Sequence, residues 1–102
     1  MTDTAASPPS YRRRIEQKLT QRLAPIRLEI EDESHRHAGH AGHLAEGETH
    51  FRILVVSPAF AGLGRVQRQR LVYEALREEL AERVHALAMT TLTPDEAANA
   101  GR

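Results

Sequence analysis

Four histidines within nine residues form the densest group of potential metal ligands in this sequence. His35, His37, His40 and His43 lie on a segment that also contains glycines. Neutral imidazole is a good ligand for Zn, Cu, Ni and Fe, and a glycine-containing segment would let two rings reach one ion. Two interpretations stay open: metal ligation by at least one of these residues, and a solvated loop in which none is a ligand.

Two further histidines stand next to predicted strands. His50 precedes Phe51, where a strand begins, and we interpret it as a structural residue that hydrogen-bonds the backbone at the end of a sheet. His85 lies within the apolar run Val84-His85-Ala86-Leu87. A histidine in such a strand is more often a buried, hydrogen-bonded structural residue than a ligand, so the run alone favours a structural role.

The sequence contains no pattern of an enzyme active site. It has no cysteine, which excludes disulfides, CxxC redox chemistry and a self-contained thiolate metal site. It also lacks the GxSxG, HExxH and GxxxxGKS/T patterns. Glu31, Asp32 and Glu33 could pair as an acid and a base, but nothing places them in a cleft. We therefore predict that the protein is not an enzyme.

A basic group stands at the start of a predicted long helix. Arg65, Arg68 and Arg70 follow a short helical turn and the glycine turn Gly62-Leu63-Gly64, an order similar to that of helix-turn-helix proteins. These arginines are the candidate nucleic-acid-binding residues. The alternative is a solvated charged face, because the glutamates that follow on the same helix would repel phosphate.

Two helices and two strands are predicted to frame the histidine segment and the basic group. Ser10 caps a first helix with the apolar stripe Tyr11, Ile15, Leu19 and Leu23, and Pro25 ends it. Ile26, Leu28 and Ile30 alternate with charged residues, which predicts a strand with one buried face. A second strand, residues 51–57, is apolar enough to be central and buried on both faces. One long helix is then predicted from Arg65 to Glu82, with the apolar face Val66, Leu71, Val72, Ala75, Leu76 and Leu80.

A third strand and a short helix complete the predicted fold. The strand runs from Val84 to Thr91, and Thr93-Pro94-Asp95-Glu96 is a capping box that opens the last helix. The order α-β-β-α-α-β-α predicts an α/β (α+β) fold, a three-stranded mixed sheet covered by helices on one face, with a parallel pair formed by the crossover through the long helix.

Length and charge limit the function classes further. The 102 residues suit one domain, and 14 basic residues balance 14 acidic ones, so a globally basic nucleic-acid binder is excluded. Residues 1–10 are predicted to be a disordered leader and not a signal peptide, and residues 99–102 a short tail. No apolar run is long enough for a membrane span, so we expect a cytoplasmic protein without a membrane partner.

Many short motifs in a fixed order resemble the BolA family over residues 11 to 98. The motifs that carry the resemblance are Asp32-Glu33-Ser34 before the histidine segment, Glu48-Thr49-His50-Phe51, Val56-Ser57 with Phe60 and Gly62, Arg68-x-Arg70, Val72-Tyr73, Glu78-Glu79-Leu80, and Val84-His85-Ala86-Leu87 before Thr93-Pro94. The resemblance implies a fold like the class II KH domain, in agreement with the predicted element order.

The resemblance also implies a partner and a cofactor. It implies an adaptor that binds a monothiol glutaredoxin and shares a [2Fe-2S] cluster with it, for cluster trafficking or for iron or redox sensing. The partner and its bound glutathione would supply the thiolates. This chain would supply His85 and a histidine of the 35–43 segment, by resemblance His37, with His35 and His40 close enough to be alternatives.

Two other functions remain open at this stage. The resemblance also implies a nucleic-acid-binding transcriptional regulator of stress response and cell morphology, although Gln69 replaces the histidine that family members commonly carry between the two arginines. The chain also lacks the GXXG loop with which KH domains clamp a nucleic-acid backbone. Autonomous Zn or Ni binding by the histidine segment is the third hypothesis.

Overall fold

The structure, a computed structural model, describes residues 10–33 and 49–100. The order of elements is α1 (Tyr11–Leu23), β1 (Arg27–Asp32), β2 (His50–Val56), a 3-10 turn (Pro58–Phe60), α2 (Arg65–Ala75), α3 (Arg77–Glu82), β3 (Ala86–Leu92) and α4 (Pro94–Ala100). This order confirms the predicted α+β fold, with the predicted short helical turn present as the 3-10 turn and the predicted long helix divided into α2 and α3. Helix α4 ends two residues beyond the domain end expected at residue 98.

The sheet is mixed and three-stranded, with the order β1-β2-β3. Strand β2 is central: it pairs antiparallel with β1, with Ile53 opposite Ile30, and parallel with β3, with Ile53 opposite Met89. Neighbouring side chains of a strand point to opposite faces, so alternate residues share one face. The face that packs under the helices carries buried Phe51, Ile53 and Val55.

The opposite face of the sheet is mostly polar, which corrects two details of the strand predictions. Along β1, Arg27, Glu29 and Glu31 are exposed, and so is Arg52 on β2. Strand β2 is therefore central without being fully buried on both faces. Ile26 precedes β1 and is 66% exposed, so the buried face predicted for this strand holds Leu28 and Ile30 but not Ile26.

Helix α1 follows its predicted boundaries. The Ser10 hydroxyl accepts a hydrogen bond from the Arg13 amide at 3.1 Å, which satisfies one of the free donors at the start of a helix. At the other end Ala24 adopts a left-handed conformation, φ 44°, and its amide donates to the Thr20 carbonyl at 3.1 Å. The predicted apolar stripe is buried through Ile15, Leu19 and Leu23.

The predicted long helix is two helices, which is a correction. Leu76 leaves the helical conformation, with φ −106° and ψ 19°, and separates α2 from α3. Neither proline nor glycine stands at the break, so local sequence did not indicate it. Val66, expected on the apolar face, is 60% exposed.

Because α3 starts after this break, its Glu79 carboxylate lies in the contact between α3 and α1. The Glu79 side chain is 0% exposed, with Arg14 Nη2 at 3.0 Å and Lys18 Nζ at 2.8 Å from its Oε2. Around it, Arg14 binds Glu82 at 2.9 Å and Lys18 binds Glu78 at 2.7 Å. These hydrogen bonds lower the pKa values of Glu78 and Glu82.

Two capped turns connect the sheet to its helices. The buried Ser57 hydroxyl accepts from the Ala59 amide at 3.0 Å and donates to the Leu23 carbonyl at 2.5 Å, so it caps the 3-10 turn and holds the end of α1. Before α4, the amides and side chains of Thr93 and Glu96 bond reciprocally at 3.0 and 3.1 Å, which confirms the predicted capping box. None of the helices in the described parts combines the length and apolar character that a membrane span requires.

Candidate metal site

His85 lies at an exposed end of the sheet. It directly precedes β3, which begins at Ala86, two residues later than the start predicted at Val84, and its side chain is exposed. The structural interpretation of a buried histidine is therefore wrong. The His85 amide donates to the Thr49 carbonyl at 2.8 Å, so the backbone that carries the imidazole is held against the start of β2.

The two ends of the histidine segment meet His85 at this same end of the sheet. Strand β1 ends at this end of the sheet, whereas β2 and β3 both start there, because β2 is antiparallel to β1 and parallel to β3. On the side of β2 that faces β1, the Glu33 amide donates to the His50 carbonyl at 2.7 Å. Residues 33 and 49, which bound the segment 34–48, are thus fixed next to the ends of β1 and β2, at the same end of the sheet as His85.

The predicted loop ligands His35, His37 and His40, together with His43, lie outside the described residues. Chain length alone limits where they can reach. His37 follows Glu33 by four residues, which span at most about 14 Å when extended. Two strand spacings, the separation of β1 from β3, amount to about 10 Å. The length of the chain therefore allows a histidine of this segment to reach a group that is bound at His85.

The other polar residues at this end of the sheet are engaged in pairs. The His50 ring is half-buried, with Nδ1 at 2.8 Å from the Thr49 hydroxyl oxygen. Arg52 Nε donates to Glu33 Oε2 at 2.8 Å, and this contact raises the pKa of Arg52. Glu33 is therefore half of an ion pair and a poor candidate for the acid–base pair considered from sequence.

The described residues do not form a complete metal site by themselves. Within residues 10–33 and 49–100, no three side chains of the histidine, aspartate or glutamate type gather in a position to hold an ion. The chain also has no cysteine. An iron–sulfur cluster needs several thiolates, so these residues fit a cluster that two molecules share and do not fit one that this chain holds alone.

The three arginines of the predicted nucleic-acid surface do not act alike. Arg65 and Arg70 are exposed on α2, and within the described residues neither has an ion-pair partner. Arg68 points inward: its side chain is 12% exposed and donates to the Leu63 carbonyl at 2.9 Å, the Thr91 carbonyl at 3.1 Å and Glu96 at 2.6 Å. Arg68 thus ties α2 to β3 and α4, and its predicted contact with nucleic acid stays a prediction.

Sequence reasoning missed the position of Thr49 and the role of Glu96. The Thr49 carbonyl holds the backbone at His85, and only the strand register reveals that contact. Glu96 was recognised as a capping residue, but its pair with Arg68 depends on the packing of both α2 and α4 against β3. The bond to Arg68 is the main cause that lowers the pKa of Glu96 to about 2.

Comparison with known families and sequences gives consistent matches. The family of BolA-like proteins matches residues 19–96. The chain is similar to the chloroplastic protein BOLA1 of Arabidopsis thaliana, with 48% identity over 85 residues that cover 81% of this chain and 53% of the relative. It is similar to the DNA-binding transcriptional regulator BolA of Escherichia coli, with 45% identity over 85 residues, 83% of this chain and 77% of the relative.

A third relative is SufE-like protein 1 of Arabidopsis thaliana, 46% identical over 87 residues that cover 81% of this chain and 24% of that protein. The chain thus spans about half of the first of these relatives and about a quarter of the third. Among solved structures, BolA1 from Arabidopsis thaliana superposes with a TM-score of 0.75 at 42% identity, over 87% of this chain and 98% of that one. The solution structure of BolA1 from Mus musculus gives 0.76 at 43% identity, over 100% and 80%.

Proposed function

The chain belongs to the BolA family, and from that premise we propose that it is a non-catalytic adaptor that binds a monothiol glutaredoxin and co-ligates a [2Fe-2S] cluster through histidines. The observation that carries the proposal is the position of His85. Its exposed side chain stands at the end of the sheet where the backbone on both sides of the histidine segment is fixed. A docking protein could reach His85 at this end of the sheet, where the histidine segment also begins and ends.

The donor chemistry of the chain decides what the partner must bring. This chain offers imidazole nitrogens and no sulfur. The thiolates come from the glutaredoxin and its glutathione, and His85 with His37, or else His35 or His40, completes the ligand set. When bound, such a cluster would supply one-electron redox chemistry at a higher potential than an all-thiolate cluster, as histidine ligation does in Rieske centres.

The backbone contacts of His85 account for its proposed role in orientation. Its amide and that of Ala86 both donate to the Thr49 carbonyl, at 2.8 and 3.2 Å, so the Cα position is determined by the sheet. The side chain extends from this fixed point into solvent. A ligand on a rigid strand start loses little conformational freedom on binding, and a ligand from the adjoining segment then completes the pair.

Co-expression with a monothiol glutaredoxin under anaerobic conditions tests the proposal directly. The purified complex should show visible absorption and circular dichroism bands of a cluster with mixed sulfur and nitrogen ligands. We expect His85→Ala to abolish these bands. His50→Ala, which removes the neighbouring half-buried ring, is the matched control and should retain them. Retention of unchanged bands in the His85→Ala complex would refute the proposal.

The second ligand is identified by a series of single variants in the same complex. His37→Ala should change the visible circular dichroism, whereas His35→Ala and His40→Ala should leave it intact if His37 is the ligand. If another member of the series abolishes the bands instead, that residue is the ligand. If none of them does, these three residues are not the ligand, and bands that also persist in His43→Ala would make co-ligation by the segment wrong.

Nucleic-acid binding is the second candidate, because the relatives from Escherichia coli and Haemophilus influenzae are named DNA-binding transcriptional regulators. In this chain the candidate phosphate ligands are Arg65 and Arg70, which are exposed and without an ion pair within the described residues. We propose that any such surface uses these two residues and not Arg68.

A double variant separates this candidate from non-specific attraction. Arg65→Ala/Arg70→Ala should weaken DNA binding and reduce the slope of log affinity against log salt by about 2, which corresponds to two lost phosphate contacts. Arg13→Ala/Arg22→Ala on exposed positions of α1 removes the same charge and should leave the slope nearly unchanged. Equal affinities of the two double variants would exclude the α2 surface.

A further inference from the structure

Strand β3 has one edge without a partner strand in the described parts of the chain. The sheet order places β2 on one side of β3 only. Along β3 the even-numbered residues bond towards β2, as shown by the Ala86 amide on the Thr49 carbonyl at 3.2 Å and the Ser57 amide on the Leu92 carbonyl at 2.9 Å. Since backbone groups of successive residues point to opposite sides, those of Leu87, Met89 and Thr91 face the outer edge.

One further contact agrees with an outward-facing Thr91 carbonyl. Its oxygen accepts a hydrogen bond from Arg68 Nη1 at 3.1 Å, a side chain of α2 and not of β2. A carbonyl oxygen has two lone pairs and can accept a second bond. A groove of about 490 Å³ separates the first turns of α2 from residues 89–92, so the helix does not close the edge there.

The two edges of the sheet differ in protection. The β1 edge carries Arg27, Glu29, Glu31 and Asp32, and charges of this kind prevent an edge strand from pairing with another chain. Strand β3, with the sequence ALAMTTL, has no charge and no proline, and its Ala86, Ala88 and Thr90 are exposed on the open face. An uncharged edge of this length is suited to pairing with another strand.

We propose that a second copy of this chain occupies the β3 edge, in an antiparallel pair with Met89 on the twofold axis. In this register the two Met89 residues exchange amide–carbonyl bonds, and Leu87 of each copy exchanges them with Thr91 of the other. All outward backbone groups from 87 to 91 are then satisfied. This register uses the odd-numbered residues of β3, because the backbone groups of its even-numbered residues already bond to β2.

The side chains are compatible with this register. On the open face Ala88 lies opposite Thr90 of the other copy, so two small side chains occupy the close, non-hydrogen-bonded position. On the helix face the half-buried Met89 meets its own symmetry mate, and Leu87 meets Thr91. No like charges face each other along the pair, which is the electrostatic condition for self-association of a strand.

A twofold pair is favoured over other strand partners of the same chain. Pairing of β3 with β1 of another copy would be head-to-tail and would leave a free edge at each end, so it would continue as a filament. The charges of β1 act against it. The β3–β3 pair closes on itself and leaves only the two protected β1 edges of a continuous six-stranded sheet.

Sedimentation velocity on the full-length chain, from micromolar to millimolar concentration, measures the association. We expect a reversible monomer–dimer equilibrium. Ala88→Lys and Thr90→Lys should each raise the dimer dissociation constant by about tenfold or more, because each dimer carries the lysine twice at the pairing edge. Glu29→Gln adds the same unit of charge to the same face at the β1 edge and should shift the constant by less than about twofold.

Amide hydrogen exchange tests the register independently. Protection of the Leu87 and Met89 amides should rise with protein concentration, and Ala88→Lys should remove that rise. The Ala88 and Thr90 amides bond to β2 and should be protected at every concentration. Far-UV circular dichroism and thermal unfolding verify that the lysine variants, all at exposed positions, remain folded.

Three outcomes would overturn the inference: a monomer across the whole range, a dimer whose dissociation constant does not respond to either lysine, or exchange at Met89 that is independent of concentration. Because none of these measurements involves a glutaredoxin or a cluster, their failure leaves the proposed adaptor function untouched, and the reverse also holds.

Discussion

The burial of two ionisable residues in this protein differs from what their neighbours in sequence would indicate. Glu79 stands in a charged run of sequence and is 0% exposed, whereas His85 stands in an apolar run and is exposed. The carboxylate is tolerated inside because Arg14 and Lys18 both bind it. Buried charges are retained only when paired in this way. The histidine is exposed because β3 starts after it, which leaves its ring beyond the core.

Arg68 and Glu96 give the sharpest prediction at the scale of single residues. The folded state holds the Glu96 pKa at about 2, below its ordinary value of 4.5, chiefly through the hydrogen bond to Arg68. A depressed carboxyl pKa stabilises the fold above the ordinary value, and the contribution disappears as the pH falls through about 2. The difference in melting temperature between wild type and Glu96→Gln should therefore be full at neutral pH and shrink from about pH 4.5 towards pH 2.

Thermal melts across this pH range, with the double variant Arg68→Ala/Glu96→Gln as the control, check the cause. In the Arg68→Ala background the substitution of Glu96 should produce a smaller pH-dependent difference, because the main stabilising partner is absent. An undiminished difference would show that the Thr93 cap, and not the arginine, controls the carboxyl group.

Gly62 supports a second prediction at this scale. It has φ +80°, and a Cβ atom built there would meet nothing within 4 Å, so any loss on substitution is conformational and not steric. Gly62→Ala should lower the free energy of unfolding by about 1 kcal/mol. Gly64→Ser is the control in the same turn, because Gly64 has an extended backbone with φ −78° and caps α2, a position where serine is favourable. Urea denaturation should show a clear loss for the first variant and none for the second.

At the scale of elements, the break at Leu76 converts one predicted helix into two with separate tasks. Helix α2 buries Val72 and Ala75 against the core, while α3 directs Glu79 towards α1. Tyr11 extends the contact, since its hydroxyl donates to Glu82 at 2.9 Å. Glu78, Glu79 and Glu82, which follow the arginines of α2 in sequence, therefore contact α1.

Removal of the buried carboxylate should be costly. Glu79→Ala leaves Arg14 and Lys18 facing each other without their shared anion, and we expect a loss of about 2–3 kcal/mol, at the low end for a buried pair because both cations are partly solvated. Glu78→Ala, on the exposed rim of the same network, should cause a much smaller loss. Urea denaturation with unchanged m-values measures both, and equal losses would mean that burial of Glu79 is energetically unimportant.

At the scale of the whole molecule, one core joins all layers. Leu19 of α1, Phe51 of β2, Phe60 of the 3-10 turn and Val72 of α2 are each at most 2% exposed and belong to one cluster. The topology of the sheet then separates the two proposed binding surfaces. The end where β2 and β3 start presents His85, and the outer edge of β3 has no partner strand within the described residues.

Because the domain has a single core, a substitution that destabilises one side should destabilise the whole domain. Leu19→Ala should lower the free energy of unfolding by about 3 kcal/mol, through lost burial and the cavity left behind. Thr20→Ala, the exposed neighbour on α1, should change it little. Unfolding followed by both far-UV and near-UV circular dichroism should remain one transition in each variant, and two transitions would contradict a single core.

The predictable part of this protein came from patterns that act over a few residues. The alternation around Leu28, the stripe through Ile15 and Leu19, and the caps at Ser10 and Thr93 each involve neighbours in sequence, and the structure confirms them. The absence of cysteine likewise defined, without any structure, which atoms the chain can offer to a metal.

The tertiary structure alone decided which of these residues face solvent and which face each other. The exposure of His85, the burial of Glu79, the inward turn of Arg68 and the break at Leu76 depend on contacts between residues far apart in the chain. Such contacts form where packing and strand register bring elements together, and no local pattern encodes them. The residue types therefore indicated which chemical groups the chain can offer, whereas the fold determined which of these groups face solvent.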